Sequence, residues 1–238
     1  LKEEPAIPQA LLLLATCYYE LGRREEAKAQ YDLILKDDPN SIQALIGLAN
    51  MLLDEEKKED VVALCKQTLS VDERNTQAYT LMGEVYMGAN NHSLALPYLE
   101  KAVEIQPKLT RNSLNLAACL IGLKQYGRAE VVLMDILQQY PKFPLAYYHL
   151  GLLFQEQGKL EEALRAYEEE VKLYPDHYRA RFNLGKILFN LGKREGYLEQ
   201  MREVIRIAPK EAEGYLFLAR GLLSESKDIN QVLELVER

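Results

Sequence analysis

The sequence predicts an all-α protein, an α-solenoid in which helix–turn–helix repeats stack on one another. Prolines recur at an interval of 34 residues, the length of one such repeat, at Pro5, Pro39, Pro107, Pro141, Pro175 and Pro209. Only position 73, which holds Glu73, interrupts this series. Large and small apolar residues recur at the same interval and at helical spacing, which indicates one buried face per helix. Stacked helix pairs form a long surface rather than an enclosed pocket, so the first functional hypothesis is a binding surface.

Two apolar series mark the buried face of each first helix. The large members are Leu14, Leu48, Met82, Leu116, Leu150, Leu184 and Leu218. The small residues that follow them are Ala15, Ala49, Gly83, Ala117, Gly151, Gly185 and Ala219. A further small series marks the second helices: Ala27, Val61, Ala95, Ala129 and Ala163. Small residues let two helices approach closely, and large ones fill the grooves beside them.

This spacing also bounds the repeats. Full units are expected at residues 8–41, 42–75, 76–109, 110–143, 144–177 and 178–211, with 1–7 as the tail of a preceding repeat and 212–238 as a partial one. Each first helix should cover about the first 14 residues of its unit, and each second helix roughly the last 15. No Gly/Ser/Pro-rich linker interrupts the pattern, so the sequence predicts a single array over residues 1–238.

The connections carry the residues that helix ends require. Glycine stands where a first helix needs a left-handed cap in three units, at Gly22, Gly158 and Gly192. The recurring prolines should end the second helices. Pro97 lies past the expected start of its second helix, which should begin late or bend after His92. Tyr197 replaces the small residue expected in the sixth unit, so packing there should be looser or shifted.

On these residues the chain resembles the tetratricopeptide repeat (TPR) family along essentially its whole length. The aromatic residue that opens the family's repeat, often Trp, is here Leu11, Leu45, Tyr79, Ser113, Tyr147, Arg181 and Tyr215. The resemblance implies a right-handed superhelix of about six full repeats plus a partial seventh, with first helices lining a concave groove. Because the chain opens inside an earlier repeat, lacks an initiator Met and stops within a helix, we expect a module excised from a larger protein.

Composition narrows the class of partner. The 238 residues carry a net charge of −7, which disfavours nucleic acid and anionic membranes because both need a basic footprint. No run approaches the roughly 18 apolar residues needed to span a bilayer. Cys17, Cys65 and Cys119 fall on buried-type helical positions without CxxC spacing, which favours small buried hydrophobes over metal or redox chemistry. Unpaired cysteines favour a reducing compartment such as the cytoplasm, although a targeting segment could lie outside this chain.

No catalytic, metal or cofactor site is recognisable in the sequence. The histidines, His92, His149 and His177, have no metal-ligand spacing to another His, Cys or paired carboxylate. Acidic runs such as Glu168–Glu170 are interpreted as solvated helix faces, because adjacent residues of a helix point about 100° apart. We therefore predict a protein that is not an enzyme and needs no cofactor.

The candidate site is the groove that the family resemblance implies. The predicted peptide-binding residues are Arg111, Asn115, Tyr148, His149, Arg179, Phe182, Asn183, Lys186 and Arg220. Asn115, His149 and Asn183 would form a polar ladder for the backbone of an extended peptide, and the neighbouring aromatics would take its side chains. The cations crowd the C-terminal half, whereas Glu20, Asp54 and Glu84 lie in the N-terminal half, so the groove should be electrically polar. The alternative is that these residues merely solvate the inner wall.

The leading hypothesis is a non-catalytic protein-interaction scaffold that binds an extended peptide or a partner helix in this groove. A chaperone-tail adaptor is disfavoured, because the family's Lys and Asn clamp is not reproduced around Asn50 or Asn115. The alternative is a regulatory or substrate-presenting appendage of a larger enzyme, since residues 176–222 resemble TPR tails that follow sulfatase-like domains. A third possibility is end-to-end self-association through the apolar segments Leu12–Leu14 and Leu233–Val236.

Overall fold

The structure, a computed structural model, describes residues 6–108 and 110–223, and this part of the chain is all-helical. Its helices are α1 (Ala6–Glu20), α2 (Arg24–Asp37), α3 (Ile42–Asp54), α4 (Lys58–Val71), α5 (Thr76–Gly88), α6 (His92–Ile105), α7 (Thr110–Gly122), α8 (Tyr126–Gln139), α9 (Ala146–Glu156), α10 (Leu160–Leu173), α11 (Tyr178–Asn190), α12 (Arg194–Ile207) and α13 (Ala212–Leu223). The odd-numbered helices are the predicted first helices, and the even-numbered ones are the second. None of these helices is long and apolar enough to cross a membrane.

The turn inside each helix pair is shorter than the sequence suggested, because a single left-handed residue reverses the chain. Gly22, Gly158 and Gly192 have φ angles of 73°, 73° and 71°, which confirms the predicted caps. The equivalent position holds Glu56, Asn90 and Lys124 in the other turns, with φ angles of 58°, 55° and 58°. Since a left-handed conformation costs a non-glycine residue about 1–2 kcal/mol, packing of the paired helices imposes this turn even where the residue disfavours it. The second helices consequently begin and end a few residues earlier than expected.

The second helix that contains Pro97 does not begin late, so that part of the prediction was wrong. Helix α6 starts at His92, in the same position of the repeat as its counterparts α4 and α8. The Asn91 side chain caps it by accepting a hydrogen bond from the backbone N–H of Leu94 at 3.2 Å. Pro97 lies within the helix and removes one backbone donor. Burial of Leu99 in the core holds the helix past this point.

The chain divides into two compact units, Leu1–Leu123 and Lys124–Arg238. The boundary falls between α7 and α8, inside the predicted fourth repeat, whereas the sequence predicts one uninterrupted array. In a solenoid each repeat packs mainly on its neighbours, so the core is distributed along the array. The structure accordingly has one core cluster among α1–α5 and another among α10–α13.

The first unit buries the predicted large series at Leu48, Met82 and Leu116, but Leu14 is 39% exposed, so the prediction is wrong for that residue of α1. A Cβ atom on Gly83 would lie 2.4 Å from Leu99 of α6, so the absence of a side chain lets α5 and α6 meet. Cys65 and Cys119 are buried as predicted, but Cys17 is exposed, which corrects that expectation. The reason is that α1 packs on α2 and α3, and its remaining side meets no described helix.

The second unit repeats this packing and adds one exception. Tyr197 is 1% exposed, so the expected looser packing of the sixth unit was wrong. Its hydroxyl donates to the carbonyl oxygen of Phe217 in α13. A Cβ atom on Gly221 would lie 2.3 Å from the Tyr197 ring. Glycine at position 221 therefore makes room for the large side chain that replaces a small one.

Candidate functional site

In the first unit, a polar cavity of about 270 Å³ lies on the first helices. Residues of α3, α5 and α7 line this cavity, which we call the α5–α7 cavity: Asn50, Thr76, Gln77, Thr80, Leu81, Glu84, Arg111 and Asn112. Arg111 is one of the predicted site residues, and Glu84 is one of the acidic residues expected in the N-terminal half of the groove. Asn115, also predicted, donates from Nδ2 to Glu84 Oε1 at 2.9 Å and so fixes the carboxylate at the cavity wall.

The α5–α7 cavity contains buried polar groups that are not fully satisfied. The Thr80 hydroxyl lies 2.9 Å from the carbonyl oxygen of Thr76 and 3.0 Å from Asn112 Oδ1. Asn112 Nδ2 and Thr76 Oγ1 are buried and have no hydrogen-bond partner among the described residues. A buried donor without a partner is destabilising. Amide, hydroxyl, carboxylate and guanidinium groups together can pair with the N–H and C=O groups of a peptide backbone.

In the second unit, a smaller cavity of about 220 Å³ has cationic and aromatic walls. Residues of α11, α12 and α13 line this α11–α13 cavity: Lys186, Phe189, Asn190, Tyr197, Phe217 and Arg220. The structure thus brings two predicted site residues, Lys186 and Arg220, to one cavity. Phe182, a third predicted residue, packs edge-on against Phe217, with ring centroids 4.8 Å apart.

The cations of this face lie over aromatic rings. Lys186 Nζ is 5.6 Å from the centroid of the Phe182 ring, and Arg220 Cζ is 5.5 Å from that of Phe189. Arg179, the remaining predicted cation of the second unit, donates from Nε to the hydroxyl of Tyr178 at 3.1 Å. Cation–π contacts position a charge while leaving its hydrogen-bond donors free for a ligand.

A second group of side chains in this unit surrounds a buried carboxylate. Glu170 is 0% exposed, although the sequence analysis placed it on a solvated face, and that interpretation was wrong. Its Oε1 lies 2.9 Å from His177 Nδ1, and its Oε2 accepts from the backbone N–H of Tyr148 at 3.2 Å. Helix α9 follows Leu145, which has a φ of 69° and no side-chain cap, so Glu170 supplies the missing acceptor from a neighbouring helix.

His149 lies next to this group and is held neutral. Its Nδ1 atom is buried and has no partner among the described residues. Burial, and to a lesser extent the charge of His177, lowers the pKa of His149 to about 4. The ring also packs against Tyr148, with centroids 5.5 Å apart. His149 therefore contributes packing at neutral pH, and its Nδ1 atom is not presented to solvent.

Asn183 also faces the phenols of this unit. Burial raises the pKa of both Tyr148 and Tyr167, and hydrogen bonding from the Asn183 side chain opposes part of that rise. Of the three residues predicted to form a ladder, Asn115 belongs to the first unit, whereas His149 and Asn183 belong to the second. Each has a protein environment of its own, and the ladder stays a prediction.

The structure shows what this arrangement can do chemically. Burial raises the pKa of the Cys65 thiol to about 12 and that of Cys119 to about 11, so both thiols are protonated at neutral pH and poor nucleophiles. Within residues 6–108 and 110–223, no group of three His, Cys, Asp or Glu side chains could hold a metal ion. The groups that line the two cavities can form hydrogen bonds, charge contacts and apolar contacts with a ligand.

Sequence reasoning missed three residues of the second unit: Glu170, Tyr197 and Phe217. A usable signal existed for Glu170, because stepping by 34 residues places it in a series of otherwise uncharged residues: Ile34, Thr68, Ala102, Ile136, Glu170 and Val204. The same step exposed Tyr197 as an exception, but its consequence depends on Gly221, which lies on another helix. Phe217 follows Asn115, His149 and Asn183 at the same interval of 34 residues, so its position on the groove-facing side could be read from the sequence, although it was not among the predicted site residues.

Comparison with known proteins matches this chain to models described as tetratricopeptide repeat, over residues 148–212 and over residues 1–51 and 86–151. Protein CTR9 homolog of Arabidopsis thaliana is 24% identical over 234 residues, which are 92% of this chain and 21% of that protein. Protein O-mannosyl-transferase TMTC3 of Mus musculus is 27% identical over 159 residues, 60% of this chain and 17% of that protein. The chain thus spans about a fifth of the length of these curated relatives.

A solved structure has the same helical-repeat fold. The crystal structure of PilW, a widely conserved type IV pilus biogenesis factor, superposes with a TM-score of 0.79. The alignment covers 90% of this chain and all of that one at 21% sequence identity. At this identity the likeness shows the helical-repeat fold alone.

Proposed function

Since this chain belongs to the tetratricopeptide repeat family, we propose that it is a non-catalytic protein-interaction scaffold whose first helices bind an extended peptide or a helix of a partner. The partner contacts are proposed for the predicted residues Arg111, Asn115, Tyr148, His149, Arg179, Phe182, Asn183, Lys186 and Arg220. Three of these residues, Tyr148, His149 and Asn183, lie close to the buried Glu170. Their contribution to binding is in part indirect, because the contacts of Glu170 set the position of α9.

One observation carries the proposal: each unit has a cavity whose lining includes predicted groove residues of successive first helices. In the first unit these helices are α5 and α7, and in the second they are α11 and α13. Several surface charges of the second helices are instead paired with each other, as in Lys101–Glu104 and Lys172–Glu169. Surface pairs of this kind contribute little energy and offer few free groups to a partner.

Peptide binding to charge-matched variants tests the proposal. We expect the wild-type chain to bind members of a library of short acetylated, amidated peptides, and K186A/R220A and R111A/N115A each to weaken binding. The control is R165A/R202A, which removes two positive charges, as K186A/R220A does, but from exposed positions on α10 and α12. A loss of at least about tenfold in affinity, equivalent to about 1.4 kcal/mol, is expected for the first-helix variants alone.

Two outcomes would contradict the proposal. If the control weakened binding as much as K186A/R220A, the effect would come from overall charge rather than from the cavities. If every variant bound like the wild type, the first helices would not be the binding face. Circular dichroism of each variant checks that the helices remain folded.

A second candidate function follows from the fact that the chain matches only a small part of much longer relatives. An O-mannosyl-transferase is among the relatives, and the chain corresponds to 17% of it. A segment of this kind could present substrates to, or regulate, an enzyme whose catalytic residues lie elsewhere. The discriminating measurement is the rate at which such an enzyme modifies its protein substrate when K186A/R220A is introduced into the full chain. A lower rate on protein substrates with an unchanged rate on a short acceptor favours the appendage.

A further inference from the structure

The α11–α13 cavity differs from the rest of the first-helix surface because Tyr197 forms one of its walls. At the same position of the repeat other units carry Ala163, Ala129 and Ala95. The Tyr197 side chain reaches α13, where its hydroxyl donates a hydrogen bond to the carbonyl oxygen of Phe217. Its ring therefore adds an apolar wall and offers no free donor, which leaves polar recognition to Lys186, Arg220 and Asn190.

The two cations of this cavity have no anionic partner in the described part of the chain. Lys186 and Arg220 contact the Phe182 and Phe189 rings, and neither forms an ion pair with a described carboxylate. By contrast, Lys172 on α10 pairs with Glu169 at 2.9 Å, and Arg206 on α12 pairs with Glu203 at 3.0 Å. Among the described residues, the two cavity cations therefore lack the carboxylate partners that Lys172 and Arg206 have, in a chain whose net charge is −7.

The size and shape of the cavity limit what can enter it. About 220 Å³ is below the 300–1,000 Å³ of a typical small-molecule site, so it suits one side chain rather than a whole cofactor. An acceptor-only group matches two cationic donors and an amide. The Phe189 and Phe217 rings can pack on the methylene groups that carry such an acceptor.

From this geometry we infer that the α11–α13 cavity is a subsite for the carboxylate of an acidic side chain on an extended segment of a protein partner. The inference rests on the proposed function and adds the chemical class of the residue that is recognised. Arg179 lies two helical turns before Lys186 on α11 and extends the positive charge along the segment's path. Charge at this face should also speed association with an acidic partner and make it sensitive to salt.

A small probe tests the cavity independently of any peptide. We expect N-acetyl-glutamate amide, followed by NMR, to shift the signals of the Asn190 side-chain amide and the Phe217 ring. N-acetyl-glutamine amide, which lacks the charge, should not do so. K186A/R220A should abolish the shifts, and R165A/R202A should preserve them. N-acetyl-alanine, whose only carboxylate is terminal, reports whether the cavity prefers a chain end to a side chain.

The peptide library then tests the inference in the setting of the proposed function. Wild-type binding should select Glu or Asp at one position, replacement of that residue by Gln should weaken binding by at least about tenfold, and K186A/R220A should lose this selectivity. Three results would overturn the inference while peptide binding itself stands. The library could select neutral residues, or K186A/R220A could keep the selectivity for Glu or Asp. N-acetyl-alanine or inorganic phosphate could also displace the bound peptide more strongly than N-acetyl-glutamate amide does. Shifts with the glutamate probe but no binding of any peptide refute the proposed function and leave the carboxylate subsite intact.

Discussion

His149 illustrates how a single polar residue on a first helix is altered by its neighbours. The sequence places it in a series with Leu81, Asn115 and Asn183, where an imidazole would serve as a hydrogen-bonding group. In the structure its Nδ1 atom is buried without a described partner, and its ring packs edge-on against that of Tyr148. Burial therefore disfavours the charged imidazolium in the folded second unit.

We predict that His149 makes stability fall in mild acid. The pKa is about 4 in the folded chain and about 6.5 when unfolded. Between these values the unfolded state binds more protons, so the free energy of unfolding falls as pH drops from about 6.5 to 4 and changes no further below that. The charged or titratable groups nearby are His177 and Glu170, which are paired with each other, and the Tyr148 phenol.

The measurement is the urea midpoint of unfolding as a function of pH for wild type and H149L. Leucine occupies the equivalent position at Leu81, where it is buried. The contribution of His149 is the difference between the two profiles, and about 3 kcal/mol should disappear over this window. Parallel profiles would show that His149 is not responsible, and an imidazole that titrates near 6.5 by NMR would contradict the lowered pKa.

At the scale of the element, close approach of paired helices depends on the absence of a side chain at a few positions. Gly151 of α9 faces Tyr167 of α10, and a Cβ atom there would lie 2.4 Å from a ring carbon. The Tyr167 ring is 0% exposed, and its hydroxyl is 3.2 Å from Gln155 Oε1, so the ring has little freedom to move away. The pair is packed as tightly as the helix backbones allow.

We predict that G151A destabilises the chain by about 2 kcal/mol, the range expected when a well-packed core is overfilled. The matched control is G127A on α8, where an added Cβ atom meets nothing within 4 Å. Because alanine is favoured over glycine in a helix by up to about 1 kcal/mol, G127A should be neutral or slightly stabilising. Urea denaturation followed by circular dichroism compares the two, and equal midpoints would contradict the packing argument.

At the scale of the whole molecule, exposed apolar residues on α1 bear on self-association. Leu13 is 67% exposed and Leu14 is 39% exposed, whereas Leu12 packs on the core of the first unit. The second segment of the original prediction, Leu233–Val236, lies outside the described residues. A patch of exposed leucines next to a repeat interface favours contact with another apolar surface.

We predict concentration-dependent dimers or oligomers, measured by static light scattering. L13S/L14S should weaken the association, because it removes the exposed apolar side chains of α1. The matched control is L33S/L94S, which removes two exposed leucines from second helices. A wild-type chain that stays monomeric at every concentration, or two variants that behave alike, would refute self-association through α1.

Much of the fold could be predicted because a repeat records its own contacts in its spacing. Gly83, Gly151 and Gly185 were predicted as close-packing positions from their interval alone, and all three face large side chains of the paired helix. The candidate site was predicted less completely. Lys186 and Arg220 were predicted as site residues, and Phe217 lies at the groove-facing interval of Asn183. The wall contributed by Tyr197 was not predicted, because it comes from a second helix and a cavity depends on side chains from several helices at once.

The sequence by itself determined the repeat length, the order of the helices and the buried face of helices with a neighbour on both sides, because periodic spacing of apolar residues needs no knowledge of distant neighbours. It did not do so for α1, where Leu14 and Cys17 are exposed. Only the tertiary structure decided which polar side chains are available to a partner. Glu168 and Glu170 are two residues apart on one helix, yet the first is exposed and the second is buried against His177 and the start of α9. Burial and hydrogen bonding depend on what an adjacent helix brings, and that is set by packing rather than by local sequence.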